Sequence, residues 1–244
     1  YVYLKEAYNP LAGFLYGWGF FAVIQTVPIA AVGGAFSKFL GTFIPFIDIK
    51  DENILATLGV FKIYPAQFVS IAIIVLLTYI NTRGIKEGKL IQTSFTVVKL
   101  LSLFGLIIFG FLLAAKADVW NSNWADAWTM VHRSETGEVV GSVFGSAILG
   151  AIAAAMVGSI FSSDAWNNVT FIAGEVHNPK KNIGLSLFLG TMIVTLIYVA
   201  VNLMYISVLP MQEIASAPQD RVAVAASTKI WSNAGAYVIA VMIM

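Results

Sequence analysis

Polar and apolar positions in this chain segregate over tens of residues, not over two or four: long charge-free runs are separated by segments holding nearly all the Lys, Arg, Asp and Glu. A helix needs about 20 predominantly apolar residues to cross the hydrocarbon core of a bilayer. Five runs qualify: between Glu6 and Lys38, between Lys62 and Arg83, between Lys89 and Lys116 with Lys99 inside, from Val139 to Gly174 with Asp164 inside, and from Asn182 to Gln212. They are too long and too poor in strict alternation for barrel strands, and a helix is the solution that satisfies every backbone amide in lipid. The pattern predicts an all-α integral membrane protein with five transmembrane helices. The uncharged run from Ile230 to Met244 is too short to cross and reads as a truncated sixth. A start at Tyr1 and an end inside that run read as a single transmembrane domain, residues 1–244, incomplete at both ends. No basic segment with a short apolar run and cleavage site opens the chain, so no signal peptide is expected.

Composition narrows the function classes. Of 244 residues, 59% are hydrophobic and 11% charged, against roughly 25% charged in soluble domains, and the mean hydropathy is +0.83. The lipid bilayer is therefore the solvent. A net charge of +1 gives no electrostatic basis for a nucleic-acid partner. With no cysteine and two isolated histidines, His132 and His177, neither a metal site nor a cofactor is expected. No phosphate-binding glycine loop, HExxH or GxSxG motif occurs, and no enzymatic machinery is visible. Segments 1–10, 81–90 and 175–183 hold Lys5, Arg83, Lys86, Lys89, Lys180 and Lys181 at a higher density than the longer segments 37–64, 116–143 and 208–229. The positive-inside rule places the first set in the cytoplasm. Trp120, Trp124 and Trp128 recur every four residues in the outer set, an aromatic edge suited to the headgroup zone.

Inside the spans, Gly13 with Gly17 and Gly141 with Gly145 are GxxxG pairs that predict close helix packing. Gln92, Thr96, Lys99 and Ser102 share one face of the third span, and Thr191, Thr195, Tyr198, Asn202 and Tyr205 share one face of the fifth. Interhelical hydrogen bonding and a solute path are both open for such stripes. The fourth span says more. Gly158-Ser159-Ile160-Phe161-Ser162-Ser163-Asp164-Ala165-Trp166-Asn167-Asn168 places small and polar residues past the middle of a run longer than one crossing needs. A helix interrupted between about Ser159 and Ala165 frees carbonyls for an ammonium group and amides for a carboxylate. The alternative is a continuous helix with Asp164 paired to Lys99. Asn168-Val169-Thr170 matches a glycosylation sequon by chance, inside the span.

These residues carry a resemblance. FSSDAWNNVTFIAGEVHNPKKN resembles the sixth-helix signature of the L-type amino acid transporter family, in the amino acid/polyamine/organocation superfamily. YVYLKEAYNPLAGFLYGW is similar to that family's third helix, GKLIQTSFTVVKLL to its fifth, and LPMQEIASAPQDRVAVA to its outer loop between helices seven and eight. The resemblance implies a five-plus-five inverted-repeat fold, of which this chain supplies the third helix to the start of the eighth, with the fourth span discontinuous. It implies a multi-pass secondary transporter, a permease or exchanger (antiporter) of amino acids across the cell (plasma) membrane. The first helix, which holds the substrate carboxylate in the family, is not within these residues.

By position, the resemblance assigns Phe161, Ser162, Ser163 and Asp164 to the unwound segment receiving the substrate's amino group, with Phe161 as the gating aromatic. Trp166 and Asn167 match its Trp-Asn pair beside the pocket, and Ile24 and Gln25 match substrate-facing positions of its third helix. Ser163, Asp164 and Ala165 depart from an aromatic followed by glycine, which bears on pocket size and preferred charge. Gly184 and Leu185 replace the usual proline and arginine of the inner loop. Lys99 is implied to take the place of the sodium ion of sodium-coupled relatives, bracing the first helix and making transport sodium-independent. Animal members are disulfide-linked to a glycoprotein; without cysteine, no disulfide-linked heavy subunit is expected. Two rivals use the Lys99 and Asp164 charges: a retinal-type photoreceptor or pump, with Schiff base and counter-ion, and a channel with a continuous polar pore.

Overall fold

The computed structural model describes residues 2–83, 85–125, 127, 129–134 and 139–244. Its helices are α1 (Val2–Ala7), α2 (Pro10–Gly19), α3 (Thr26–Leu40), α4 (Pro65–Arg83), α5 (Ile85–Phe109), α6 (Ala117–Ala125), α7 (Ala147–Ser162), α8 (Pro179–Val208), α9 (Met211–Ala215) and α10 (Val222–Ile243). Two small antiparallel hairpins join them: β1 (Ala56–Leu58) with β2 (Phe61–Ile63), and β3 (Val131–Arg133) with β4 (Val139–Ser142). Among the described residues, four helical stretches are long and apolar enough to cross a membrane: Pro10–Leu40, Pro65–Thr82, Leu90–Ala114 and Pro179–Val208. They match the first, second, third and fifth predicted spans. The protein is a multi-pass membrane protein, and its side chains agree: Phe14, Leu101, Leu112 and Leu196 are 59%, 63%, 74% and 62% exposed, apolar surface that lipid or further helices must cover.

The fourth predicted span departs from a simple crossing. Val139–Ser142 is a strand, Gly141 lies within it, and Gly145 takes a left-handed turn at φ 62°, so Gly141 and Gly145 form no helical packing pair. The helix starts at Ala147 and runs only 16 residues. At the other end of the chain, α10 takes in residues before Ile230 and is 22 residues long, kinked at Trp231 and Ser232. The Trp120 and Trp124 rings lie 5.4 Å apart, tilted at 49°, on α6, which ends at Ala125; Trp128 lies outside the described residues.

The chain falls into two compact units, Tyr1–Lys99 with Tyr237–Met244, and Leu100–Ala236. In the first, Asn9 caps α2 by accepting from the Ala12 amide at 2.8 Å, with Pro10 in the first turn where its missing N–H costs nothing. A π-turn at Phe20–Ile24 then widens the helix, closed by the Gln25 amide donating to the Phe20 carbonyl at 3.0 Å. Small residues let α3 and α4 approach: the Ser70 hydroxyl lies 2.9 Å from the Gly33 carbonyl and 3.1 Å from the Ser37 hydroxyl, and a Cβ at Gly33 would sit 2.9 Å from the Ile74 Cδ1.

In the second unit, a π-turn at Gly110–Ala114 ends the third span against α8. Gly110 is needed there, because a Cβ would stand 2.6 Å from the sulfur of the fully buried Met204. Asn123 on α6 fastens the far end of α8: its amide donates to the carbonyls of Ile206 at 2.8 Å and Leu209 at 2.9 Å, and its oxygen accepts from the Met211 amide at 2.9 Å. Those carbonyls would otherwise be orphans of the helix terminus. At the opposite end Asn178, at φ 55°, precedes Pro179 and opens α8.

Candidate functional site

The site grows from the way α7 ends. Three consecutive short polar side chains, Ser162, Ser163 and Asp164, follow an apolar helix, and hydroxyls near a helix compete with amides for its carbonyls. The Ser159 carbonyl accepts from the Ser162 hydroxyl at 3.0 Å, the Ser163 hydroxyl at 2.8 Å and the Ser163 amide at 3.2 Å. The ladder tightens at once: the Ser163 amide is also 3.2 Å from the Ile160 carbonyl, and the Asp164 amide donates back three residues to Phe161 at 3.2 Å. Ala165 then enters the left-handed region at φ 62°, which stops any helix. The chain resumes as a 3-10 helix at Asn168–Glu175, with the Asn168 amide bonded to the Ala165 carbonyl at 3.0 Å. The interruption thus covers Ser163 to Asn167, overlapping the C-terminal part of the segment anticipated from sequence.

Carbonyl bookkeeping decides what this turn can bind. The Phe161 carbonyl serves the Asp164 amide and the Ser162 carbonyl accepts from the Tyr198 hydroxyl at 3.0 Å. Among the described residues nothing donates to the carbonyls of Ser163 and Asp164, and the Asp164 carboxylate makes no hydrogen bond or ion pair. Three acceptors therefore cluster where α7 also presents the negative end of its dipole.

A cleft of about 690 Å³ opens beside the turn, walled by Ser162, Ser163, Asp164, Ala165 and Trp166 on one side. The other wall is α8, through Ser186, Gly190, Thr191, Thr195 and Tyr198. Thr191, Thr195 and Tyr198 of the fifth-span stripe and Ser162 to Asp164 of the fourth-span polar run, separate features in the sequence, thus face one cavity, while Asn202 and Tyr205 do not line it. Phe161 and Asn167 do not line it. Ile24 and Gln25 belong to the first unit, at the end of the π-turn in the first span. Lys99 stands on α5, also in the first unit. The residues that sequence reasoning did not single out as site residues are those of α8. Their signal was in view, the recurrence of Thr191, Thr195 and Tyr198 at four and three residues, but a stripe alone does not say which helix faces it.

Comparison with known proteins gives one family and several relatives. The sequence profile of the family described as "Amino acid permease" matches residues 1–244. The chain is similar to the b(0,+)-type amino acid transporter 1 of Oryctolagus cuniculus, 27% identical over 88% of this chain and 38% of the relative. It is similar to the serine/threonine exchanger SteT of Bacillus subtilis (strain 168), 28% identical over 100% of this chain and 47% of the relative. The large neutral amino acids transporter small subunit 2 of Oryctolagus cuniculus is 25% identical over 88% of the chain and 36% of that protein. The chain therefore spans less than half the length of these curated relatives. All three are named as transporters or exchangers.

Proposed function

The chain belongs to the amino acid permease family, and on that premise we propose that it is part of a secondary transporter, a permease or exchanger, that moves amino acids across the plasma membrane. Residues 1–244 form part of one transporter domain with the five-plus-five inverted repeat. The observation that carries the reading is the end of α7: an apolar helix that stops at Ser162 and leaves the carbonyls of Ser163 and Asp164 without donors among the described residues, beside a cleft whose wall is mostly apolar. An ammonium has three donors and no acceptor, and this turn presents it with the two backbone carbonyls and the Asp164 carboxylate, none of which has a donor among the described residues. Ser162, Ser163 and Asp164 bind the substrate nitrogen, and Phe161, Trp166, Asn167, Ile24 and Gln25 are the further substrate-contacting residues by their position in the family. Lys99 occupies the place of a coupling cation, so transport is sodium-independent. These 244 residues contain no cysteine, so no disulfide to a companion subunit can be made from them.

Counter-flow in proteoliposomes containing the full-length protein tests this. Labelled amino acid should accumulate against unlabelled amino acid, saturate with concentration, and lose affinity in Trp166→Ala. Flux that never saturates would instead fit a channel, and a visible absorption band on adding retinal would fit a photoreceptor.

A further inference from the structure

We propose that the β1–β2 hairpin is a lipid anchor, its apolar face seated in the headgroup layer of the bilayer beside the start of α4. The register puts Leu58 opposite Phe61 and Ala56 opposite Ile63, with Thr57 opposite Lys62 between them. Side chains alternate along a strand, so the first two pairs share one face and Thr57 with Lys62 takes the other. The polar face is tied down, because the Lys62 ammonium donates to the Asp51 carboxylate at 2.7 Å. The apolar face is bare: Leu58 is 65% and Phe61 74% exposed, and Val60, carried at the tip by the left-handed Gly59 at φ 62°, is 90% exposed. A two-stranded hairpin is marginally stable in water by itself, so such a face needs a cover. The length of α4 says what lies against it. Its crossing stretch, Pro65–Thr82, has 18 residues, about 27 Å of helix against a hydrocarbon core of about 30 Å, which leaves Pro65 no room to stand clear of the edge of that core. Phe61 comes four residues before Pro65, at most about 14 Å of extended chain, and Tyr64 between them is of the residue type enriched at that boundary. The hairpin is therefore held at the height of the headgroups, where its apolar side chains reach the acyl boundary while Lys62 and Asp51 stay in water.

Nitroxide labels on single cysteines test the placement, in full-length protein otherwise free of cysteine and reconstituted in phosphatidylcholine nanodiscs. Labels at Val60→Cys and Phe61→Cys should collide with dissolved oxygen, which partitions into lipid, severalfold more often relative to a water-soluble nickel chelate than a label at Thr57→Cys does. A ratio at Val60→Cys and Phe61→Cys no higher than at Thr57→Cys would leave the hairpin in water and overturn the proposal. Exclusion of both reagents would overturn it too, since the face would then be covered by protein, whether another part of the transporter or a companion subunit. If the cysteine variants do not reach the membrane, the unaltered protein decides by photo-crosslinking to a phosphatidylcholine with a diazirine high on its acyl chain. Adducts on Leu58, Val60 or Phe61 are expected, and adducts confined to the crossing helices refute the anchor.

Discussion

The hydroxyl of Tyr198, in the middle of α8, donates to the carbonyl of Ser162, the last residue of α7, at 3.0 Å. The bond ties the broken helix to its neighbour across the cleft, and it occupies one of the carbonyls that the interruption frees. Tyr198→Phe keeps the ring and deletes the bond, at a net cost of about 1 kcal/mol. The turn should loosen: the half-saturating amino acid concentration should rise by roughly fivefold, and the thermal midpoint in detergent should fall. An unchanged affinity would mean that the turn holds its shape without α8.

Ala165 carries a measurable strain. At φ 62° its Cβ crowds the following carbonyl, a penalty of about 1 kcal/mol that glycine does not bear. Ala165→Gly should therefore raise stability or leave it level, whereas glycine substituted for Ala154, inside α7, should lower it by about 1 kcal/mol. Thermal midpoints of the two variants check this. If Ala165→Gly lowers the midpoint as Ala154→Gly does, residue 165 is helical in the membrane and the interruption is wrongly placed.

How much of this was legible beforehand depends on range. Span positions follow from the local absence of charge, and four of the five predicted runs are helical stretches of crossing length. The polar run Ser162-Ser163-Asp164 marked the interruption because its two serine hydroxyls bond a carbonyl within four residues. What the sequence hid is of two kinds. Gly141 and Gly145 matched a helical packing motif, yet the segment pairs as a hairpin, a contact between strands that no spacing rule detects. The π-turn at Phe20–Ile24, which ends beside Ile24 and Gln25, lies in an apolar run between Gly19 and Pro28, and those two residues weaken a helix without specifying a wider turn. The pairing of the α8 stripe with the α7 turn spans 36 residues, and periodicity specifies a face but not its partner.

Orientation is tested by chemistry the chain lacks. These 244 residues contain no cysteine, so single cysteines placed in them report cleanly once any elsewhere in the full-length protein are replaced. Lys180, at the start of α8, lies in a segment dense in basic residues and should face the cytoplasm; Asp118, at the start of α6, should face outward. In intact cells an impermeant maleimide should label Asp118→Cys and spare Lys180→Cys until the membrane is permeabilised. The reverse pattern would invert the topology.

Lys99 gives the last test, since it interrupts the third span with a cation at a depth where charge is retained only for a purpose. An ammonium directs three donors at oxygen acceptors, much as a bound metal cation would draw them in. If Lys99 braces the first helix in place of sodium, replacing sodium by choline in the medium should leave uptake unchanged. Lys99→Ala should then yield a transporter that still inserts and elutes as a folded species but has severely reduced turnover. The competing role is charge compensation for Asp164, and the two separate in a double variant. Under the bracing role, adding Asp164→Asn to Lys99→Ala leaves turnover low, because the missing donors are not replaced by removing a carboxylate. Under charge compensation the same addition relieves the unpaired charge and restores flux. Recovery of normal flux in the double variant would therefore rule out the bracing role and return Lys99 to a structural one.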